Sequence, residues 1–454
     1  MENSGKSISR RRFFKTGGAV LAGGAWSALH SQPSKSDKSE EKTDKIQQYR
    51  KLGRTGFEVS DISMGGTRNR ETSIFRYAYD KGVNYFDTAE GYINGQSEKL
   101  LGDALKFMDR KKVFITTKLP IGYEETKTEI LDRFAKCQER LQTEYVDALF
   151  MHSVKEVALL NHTGFHEAVK ELRSQGKLRY CGVSSHGPRN DDQDSMEKVL
   201  IAAAEDGRFD ALLLIYNFMN DQAGQNILKA CKKNDLGTTA MKTSPGILKA
   251  DLVDPENLTG EQQQLIERYQ KRGMSYEEAL ERLKQRANEL KEITQKTLPF
   301  AEKLNISSEE QLKLASIQWV LQNPDIHTAC ISFSDFSQVD RTIPISGSDM
   351  SRLDPGFFNR FGSSANSYYC RQACKECISG CPQRVPVSTI MRYAYYFQNQ
   401  QREKEAMEKY ANILRQNVPA CYNCDAPCLE KCPYGLDIQA QMLQVHSMLS
   451  LNRT

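Results

Sequence analysis

The sequence predicts an α/β protein: a parallel (β/α)8 barrel followed by a small, mainly helical, cysteine-rich domain. Three observations lead there. Eight short strand-like runs alternate with helix-like segments between residues 49 and 350. Acidic, phenolic, basic and imidazole side chains stand at or just past the ends of consecutive runs, where barrels of this kind place their chemistry. Eight of the twelve cysteines lie after residue 369, grouped in two motifs.

The chain's 454 residues give room for one large domain and a smaller one. Apolar content of 39% and charged content of 26% are ordinary for a folded chain. A net charge of +4 spread over this length gives no electrostatic reason to expect nucleic acid as a partner.

Ser9-Arg10-Arg11-Arg12-Phe13-Phe14-Lys15 opens the chain's first readable segment, and the weakly apolar run Thr16 to Leu29 follows it. That order resembles a twin-arginine export signal over residues 1–30, which implies a periplasmic location, free or membrane-anchored. The run is too short for a spanning helix. Residues 31–48 are polar and read as linker. From Tyr49, a hairpin turning at Gly53 to Gly56 precedes a first strand ending at Gly65-Gly66. Further strands are expected near 83–86, 113–117, 146–151, 179–183, 211–215, 237–241 and 328–331, which completes the barrel over 49–350. Residues 255–305 form a long, charge-dense, helix-forming stretch between the last two strands, a solvated surface element or one docked over the loop side.

Asp87 ends the second strand, Tyr92 follows one short loop later, Lys118 ends VFITTK and His152 ends VDALFMH. These four residue types, in that order, resemble the catalytic tetrad of the aldo/keto reductase family. The chemistry suits the set. Reducing a carbonyl leaves an alkoxide to be protonated, and a phenol with its free pKa of about 10 needs help. An ammonium beside it lowers that pKa, a carboxylate holds the ammonium charged, and a neutral imidazole orients the carbonyl oxygen. The resemblance therefore implies Tyr92 as general acid, Lys118 and Asp87 as its supports, and His152 as the orienting group.

The same resemblance implies a bound NADP(H) or NAD(H). Ser184 and Ser185 stand where the family has a serine–asparagine pair. Tyr216 and Asn217 end the sixth strand, where an aromatic faces the nicotinamide. Ser332, Phe333 and Ser334 replace the family's phosphate-gripping residues after strand eight, with Arg341 the nearest arginine and out of register.

Residues 362–454 carry an internal repeat. The first motif is Cys370, Cys374, Cys377, Cys381 with Pro382, and the second is Cys421, Cys424, Cys428, Cys432 with Pro433. Val385, Val387 and Met391 match Leu436, Ile438 and Met442, and residues 386–416 between the motifs look helical. Such runs resemble the helical two-cluster 4Fe–4S ferredoxin-like domains found after some barrels of this family. Because the cysteine before proline ordinarily ligates the other cluster, the resemblance assigns Cys370, Cys374, Cys377 and Cys432 to one [4Fe–4S] cluster, and Cys421, Cys424, Cys428 and Cys381 to the other. Two zinc sites of four thiolates each, or disulfides, are the competing uses of the same thiols. Cys137, Cys181, Cys231 and Cys330 are expected to be buried and inert.

Two functions follow. One is an exported oxidoreductase that interconverts a small carbonyl and its alcohol, coupled through the clusters to a redox protein or quinone-linked partner. The alternative is a non-catalytic electron-transfer or docking module on a degenerate barrel.

Overall fold

The strands form where apolar runs can be buried on both faces. Ile62–Gly65 (β3), Tyr85–Asp87 (β4), Phe114–Leu119 (β5), Val146–Met151 (β6), Leu178–Ser184 (β7), Ala211–Ile215 (β8), Gly237–Met241 (β9) and Thr328–Ile331 (β10) pair in parallel and close on themselves, β10 against β3. Every residue of β5, β6, β8 and β9 is buried, as expected for strands with helices outside and a filled interior. The interior is packed rather than open. The Tyr85 ring stacks on Phe114 at 5.3 Å, and Phe114 on Tyr180 at 6.0 Å. The computed structural model describes residues 44–245 except 190–191, scattered residues from 258 to 284, and 309–450 except most of 349–368 and 401, 414–419 and 422–423.

The N-terminal end of the barrel is stoppered by the antiparallel pair Tyr49–Lys51 (β1) and Glu58–Ser60 (β2). Its turn passes through Gly53 and Gly56, as expected, and the Tyr180 hydroxyl donates to Thr55 O at 2.8 Å. A Cβ on Gly53 would lie 2.4 Å from Gly237 N, so this close approach requires glycine. With that end closed, the site lies at the other, where the loops after each strand emerge. The expected linker is anchored at its end: Ile46 is buried, and its N–H donates to Lys81 O at 2.8 Å.

The outer helices are amphipathic. Lys127–Leu141 (the third helix) shows how sequence sets one: a capping box of Thr126 and Glu129 starts it, and Ile130, Phe134, Cys137 and Leu141 form its buried stripe. Each such side chain contributes roughly 1.5–3 kcal/mol through burial. Within the long stretch from 255 to 305, residues 276–281 are helical, started by a reciprocal Ser275–Glu278 cap. Ala279 and Leu283 pack on Ile266. Most of the remaining stretch, like the signal-like residues 1–30, lies outside the described residues.

The tail is helical as expected, though broken. Val387–Asn399 (the roof helix) and Glu403–Ala411 are separated at Arg402, whose N–H turns back to Tyr396 O. Ile438–Leu449 follows the second motif. The internal repeat is visible in the backbone. Arg384 and Gly435 occupy the same place three residues after Cys381 and Cys432; both have positive φ (50° and 68°), and both N–H groups donate to that cysteine's carbonyl. Val385, Val387, Leu436, Ile438 and Met442 then meet in one apolar core, with cysteines along its margin.

Candidate active site

Asp87, Tyr92, Lys118 and His152 come together at the open end of the barrel. Lys118 is fully buried, and its Nζ donates to Asp87 Oδ1 at 2.5 Å, to Thr88 O at 2.7 Å and to the Tyr92 hydroxyl at 3.4 Å. The same ammonium stands 4.8 Å from the centre of the Tyr92 ring. Tyr92 and His152 meet edge to face with ring centres 5.6 Å apart.

The loop carrying Tyr92 is held from both sides. Before it, Glu90 is paired with Arg133. After it, Ile93, Asn94 and Gly95 all have positive φ (52°, 54° and 82°), a sterically costly turn for the first two. Gly65 and Gly66 close the same end: a Cβ on Gly66 would lie 2.1 Å from Ser97 Oγ, and one on Gly65 2.8 Å from Ser332 Oγ.

Burial sets the protonation states. It pushes the Tyr92 phenol up to about 12, against the opposing pull of Lys118. Burial, and then the Lys118 charge, brings the His152 imidazole down to about 3, so it is neutral across the physiological range. Lys118 is held above its ordinary value: burial disfavours its charge, and Asp87 and Tyr92 outweigh that.

Asp87, Tyr92 and His152 line a cavity of about 1330 Å³, larger than the roughly 300–1,000 Å³ of ordinary ligand pockets, with Lys118 buried behind them. A description of the aldo/keto reductase family matches residues 63–355. The chain belongs to the aldo/keto reductase family. Among curated relatives, the aldo-keto reductase YhdN of Bacillus subtilis is 31% identical over 157 residues, covering 30% of this chain and 47% of the relative. A Glycine max protein named as a probable aldo-keto reductase is 34% identical over 157 residues, covering 30% and 45%. The chain thus spans about half the length of the curated relatives it matches. An aldo-keto reductase of Bacillus halodurans, solved in a holo form, shares the fold at a TM-score of 0.50 and 18% identity, over 72% of this chain and 99% of its own.

In this reductase barrel the six positions expected to serve a dinucleotide separate into two groups. Ser332 lines the cavity, its hydroxyl 2.8 Å from Thr67 Oγ1, and buried Phe333 lies beside it. Ser184 and Ser185 are buried in the wall, where Ser184 Oγ accepts from Ser153 N and Ser185 Oγ from Gly187 N. Tyr216, expected to face the nicotinamide, turns away. Its ring packs on Trp319 at 5.1 Å, its hydroxyl engages Asp221, Gln225 and Asn323, and it does not line the cavity. Asn217 braces the next strand end by donating to Lys242 O at 2.8 Å. Ser334 is taken up with Asp335 and Gln338 at the start of a short helix, Phe336–Thr342. Arg341 lines the cavity and pairs with Glu310.

The tail contributes to the same cavity. Gln372, between the first two cysteines, and Arg392, Tyr396, Asn399 and Arg402, on or after the roof helix, line it opposite the tetrad. The first cysteine loop is seated on the barrel: Asn220 Nδ2 donates to Gln372 O at 3.0 Å, Lys375 Nζ to Gln193 O at 2.7 Å, and a Cβ on Gly187 would lie 2.3 Å from Ala373 Cβ.

Four of the eight tail cysteines share one site. Cys370, Cys374, Cys377 and Cys432 line one small cavity. Burial, and then the thiols of Cys377, Cys374 and Cys432, push the Cys370 thiol well up. Burial and the thiols of Cys381, Cys428 and Cys424 likewise push Cys421 up to about 11. Among the described residues, no three His, Cys, Asp or Glu side chains converge as a single-ion site.

Of the four remaining cysteines, Cys137, Cys181 and Cys231 are buried as expected. Cys330 instead is partly exposed and lines the cavity, because its strand ends beside Gly65, which presents no side chain to cover it. Sequence reasoning also passed over Lys242 and His186. Lys242 follows an apolar run just as Lys118 does, so its strand-end position was a usable signal. His186 directly follows the serine pair. No signal in the sequence placed Arg392, on a helix 150 residues further along the chain, over the same cavity.

Proposed function

We propose that this chain interconverts a carbonyl and an alcohol, with Tyr92 as the proton donor and acceptor. The observation that carries this reading is Lys118, fully buried, reaching both Asp87 and the Tyr92 hydroxyl beside a cavity. In the reducing direction the carbonyl oxygen is held by His152, whose neutral ring donates its one N–H to that oxygen. As negative charge develops on that oxygen, the Tyr92 hydroxyl transfers its proton, and Lys118 stabilises the phenolate left behind. In the reverse direction the phenolate accepts the alcohol proton. A nicotinamide dinucleotide, when bound, supplies or accepts the hydride. Ser332 and the open cavity wall fit such a group, and the cavity has room for it beside a small substrate. Tyr216, Asn217 and Ser334 are engaged elsewhere, so the hold on the dinucleotide falls to Ser332 and the cavity wall. That engagement is also what favours the second reading, a redox or docking module without turnover.

The two quartets fit [4Fe–4S] clusters. Their donors are the thiols such clusters take, and Cys370, Cys374 and Cys377 of one motif share a small cavity with the pre-proline Cys432 of the other. A bound cluster supplies one-electron transfer. With the twin-arginine-like segment at Ser9 to Lys15, this makes the protein an exported oxidoreductase that exchanges electrons with a redox protein or a quinone-linked partner. Among the described residues no helix is long and apolar enough to cross a membrane.

Two measurements test the reading. Tyr92→Phe should lower carbonyl turnover by about 10²- to 10⁴-fold in a folded protein, and an unchanged kcat removes Tyr92 from the chemistry. Anaerobically purified protein should carry about eight iron and eight sulfide per chain. Stoichiometric zinc without sulfide would assign the quartets to zinc instead.

A further inference from the structure

Around His186, at the inner wall of the cavity, three nitrogen groups from three different elements lack a partner. Lys242 directly follows β9 with φ at +53°, and Asn217, two residues past β8, holds its carbonyl. Its Nζ is sealed from solvent and has no hydrogen-bond partner among the described residues. The same is true of His186 Nδ1, just past β7, and of Arg392 Nε, on the roof helix. All three residues line the cavity that holds Tyr92 and His152. Lys242 and Arg392 are the charges that act most strongly on His186, after burial. Burial, and then Arg392, holds the Lys242 ammonium well below its ordinary value.

A sealed lysine nitrogen close to a half-buried arginine, with no anion beside them among the described residues, is costly, and a buried charge is normally paired. The acids lining this cavity do not supply the anion. Asp87 is paired with Lys118, Glu310 with Arg341 and Glu405 with Arg402, while Glu408 lies 3.8 Å from Lys404. Among the described residues, no acid lining the cavity is left without a basic partner, which leaves this cluster open to a ligand anion.

We propose that Lys242, His186 and Arg392 form a carboxylate pocket, and that the carbonyl substrate is a small oxo acid whose carboxylate is held there while its carbonyl oxygen meets Tyr92 and His152. The inference rests on the carbonyl-reduction reading above. Spacing favours a substrate carboxylate over a dinucleotide phosphate. His186 is 6.2 Å, ring centre to ring centre, from His152, which is 5.6 Å from Tyr92. The anion thus sits beside the reacting carbonyl, whereas a dinucleotide's phosphates are separated from its reacting ring by a ribose. Because Arg392 belongs to the tail, the pocket is completed only when the roof helix is seated on the barrel.

The test is isothermal titration of the full-length, cluster-loaded protein with oxamate and with oxamide, its neutral counterpart of nearly the same shape. Neither is reduced, so binding is read independently of turnover. Wild-type protein should prefer oxamate. Lys242→Met and Arg392→Gln should each weaken oxamate by about 10- to 100-fold with little effect on oxamide, as expected for loss of a charge-assisted hydrogen bond. Lys242→Arg should keep most of the preference, which separates lost charge from lost fold. Equal binding of oxamate and oxamide by the wild type would overturn the proposal. So would an oxamate preference that survives both substitutions, or a Lys242→Met variant that loses affinity only for NADPH. Protein that binds oxamate as stated but never reduces glyoxylate supports the pocket and counts against the reductase reading alone.

Discussion

At Tyr92 two effects oppose each other, and their balance differs from what residue types alone suggest. Lys118 favours the phenolate, yet burial of the ring outweighs it and leaves the phenol at about 12. Tyr92 is therefore protonated at rest, the state a proton donor needs, and the ammonium acts by stabilising what remains after transfer. Lys118→Met should remove that support and also leave Asp87 buried without its counter-charge. We expect turnover lost and stability lowered by roughly 3–5 kcal/mol, readable by denaturant unfolding. His152 has a pH signature. Its folded value of about 3 lies below the ordinary 6.5, so between these values the unfolded chain binds a proton that the folded chain does not. Its contribution is fully present above pH 6.5 and falls as pH drops toward 3. His152→Asn should flatten unfolding free energy against pH in that window; an unaltered slope would show that His152 is not held neutral. The tetrad was legible because Asp87, Lys118 and His152 directly end apolar runs, so strand position fixes where they point. Tyr216 also ends such a run, but its direction is set by Trp319 and Asn323, more than 100 residues away, which strand position does not encode.

At the level of elements, strand bounds fall within a residue or two of the apolar runs, because strands buried on both faces have little other composition available. The helical tail was legible as a repeat for a similar reason: Val385 and Leu436, and Val387 and Ile438, mark where each cysteine loop enters the apolar core. The break at Arg402 was not. It rests on a backbone bond to Tyr396 and on the Arg402 guanidinium turning to Glu405, contacts that the surrounding helix-forming residues hide. One element contact yields a sharp test. Gly187 has φ at +77°, and a Cβ there would strike Ala373. Gly187→Val should lift the first cysteine loop from the barrel, seen as faster amide hydrogen exchange over residues 369–381 with β5 and β6 still protected. Equal exchange in both proteins would mean the loop is not seated there.

Across the whole molecule, the barrel and the cysteine-bearing tail line one cavity: Asp87, Tyr92 and His152 come from the barrel, and Gln372 and Arg392 from the tail. Residues 43–454 form one compact unit. The sequence suggests a domain boundary at the composition change near residue 362, but the joint enclosure of a site depends on contacts between distant segments such as Asn220 with Gln372. Our account makes this enclosure the route by which carbonyl chemistry meets one-electron chemistry. Its most direct test is stopped-flow mixing of dithionite-reduced, desalted protein, supplied with one equivalent of NADP+, with glyoxylate under anaerobic conditions while iron–sulfur absorbance is followed. Two electrons from the proposed clusters and one proton turn NADP+ into NADPH, whose hydride, with the Tyr92 proton, reduces one carbonyl, so absorbance should return in the wild type, and about 10²- to 10⁴-fold more slowly in Tyr92→Phe. Absorbance that stays unchanged while the same preparation turns over rapidly on added NADPH would contradict the account.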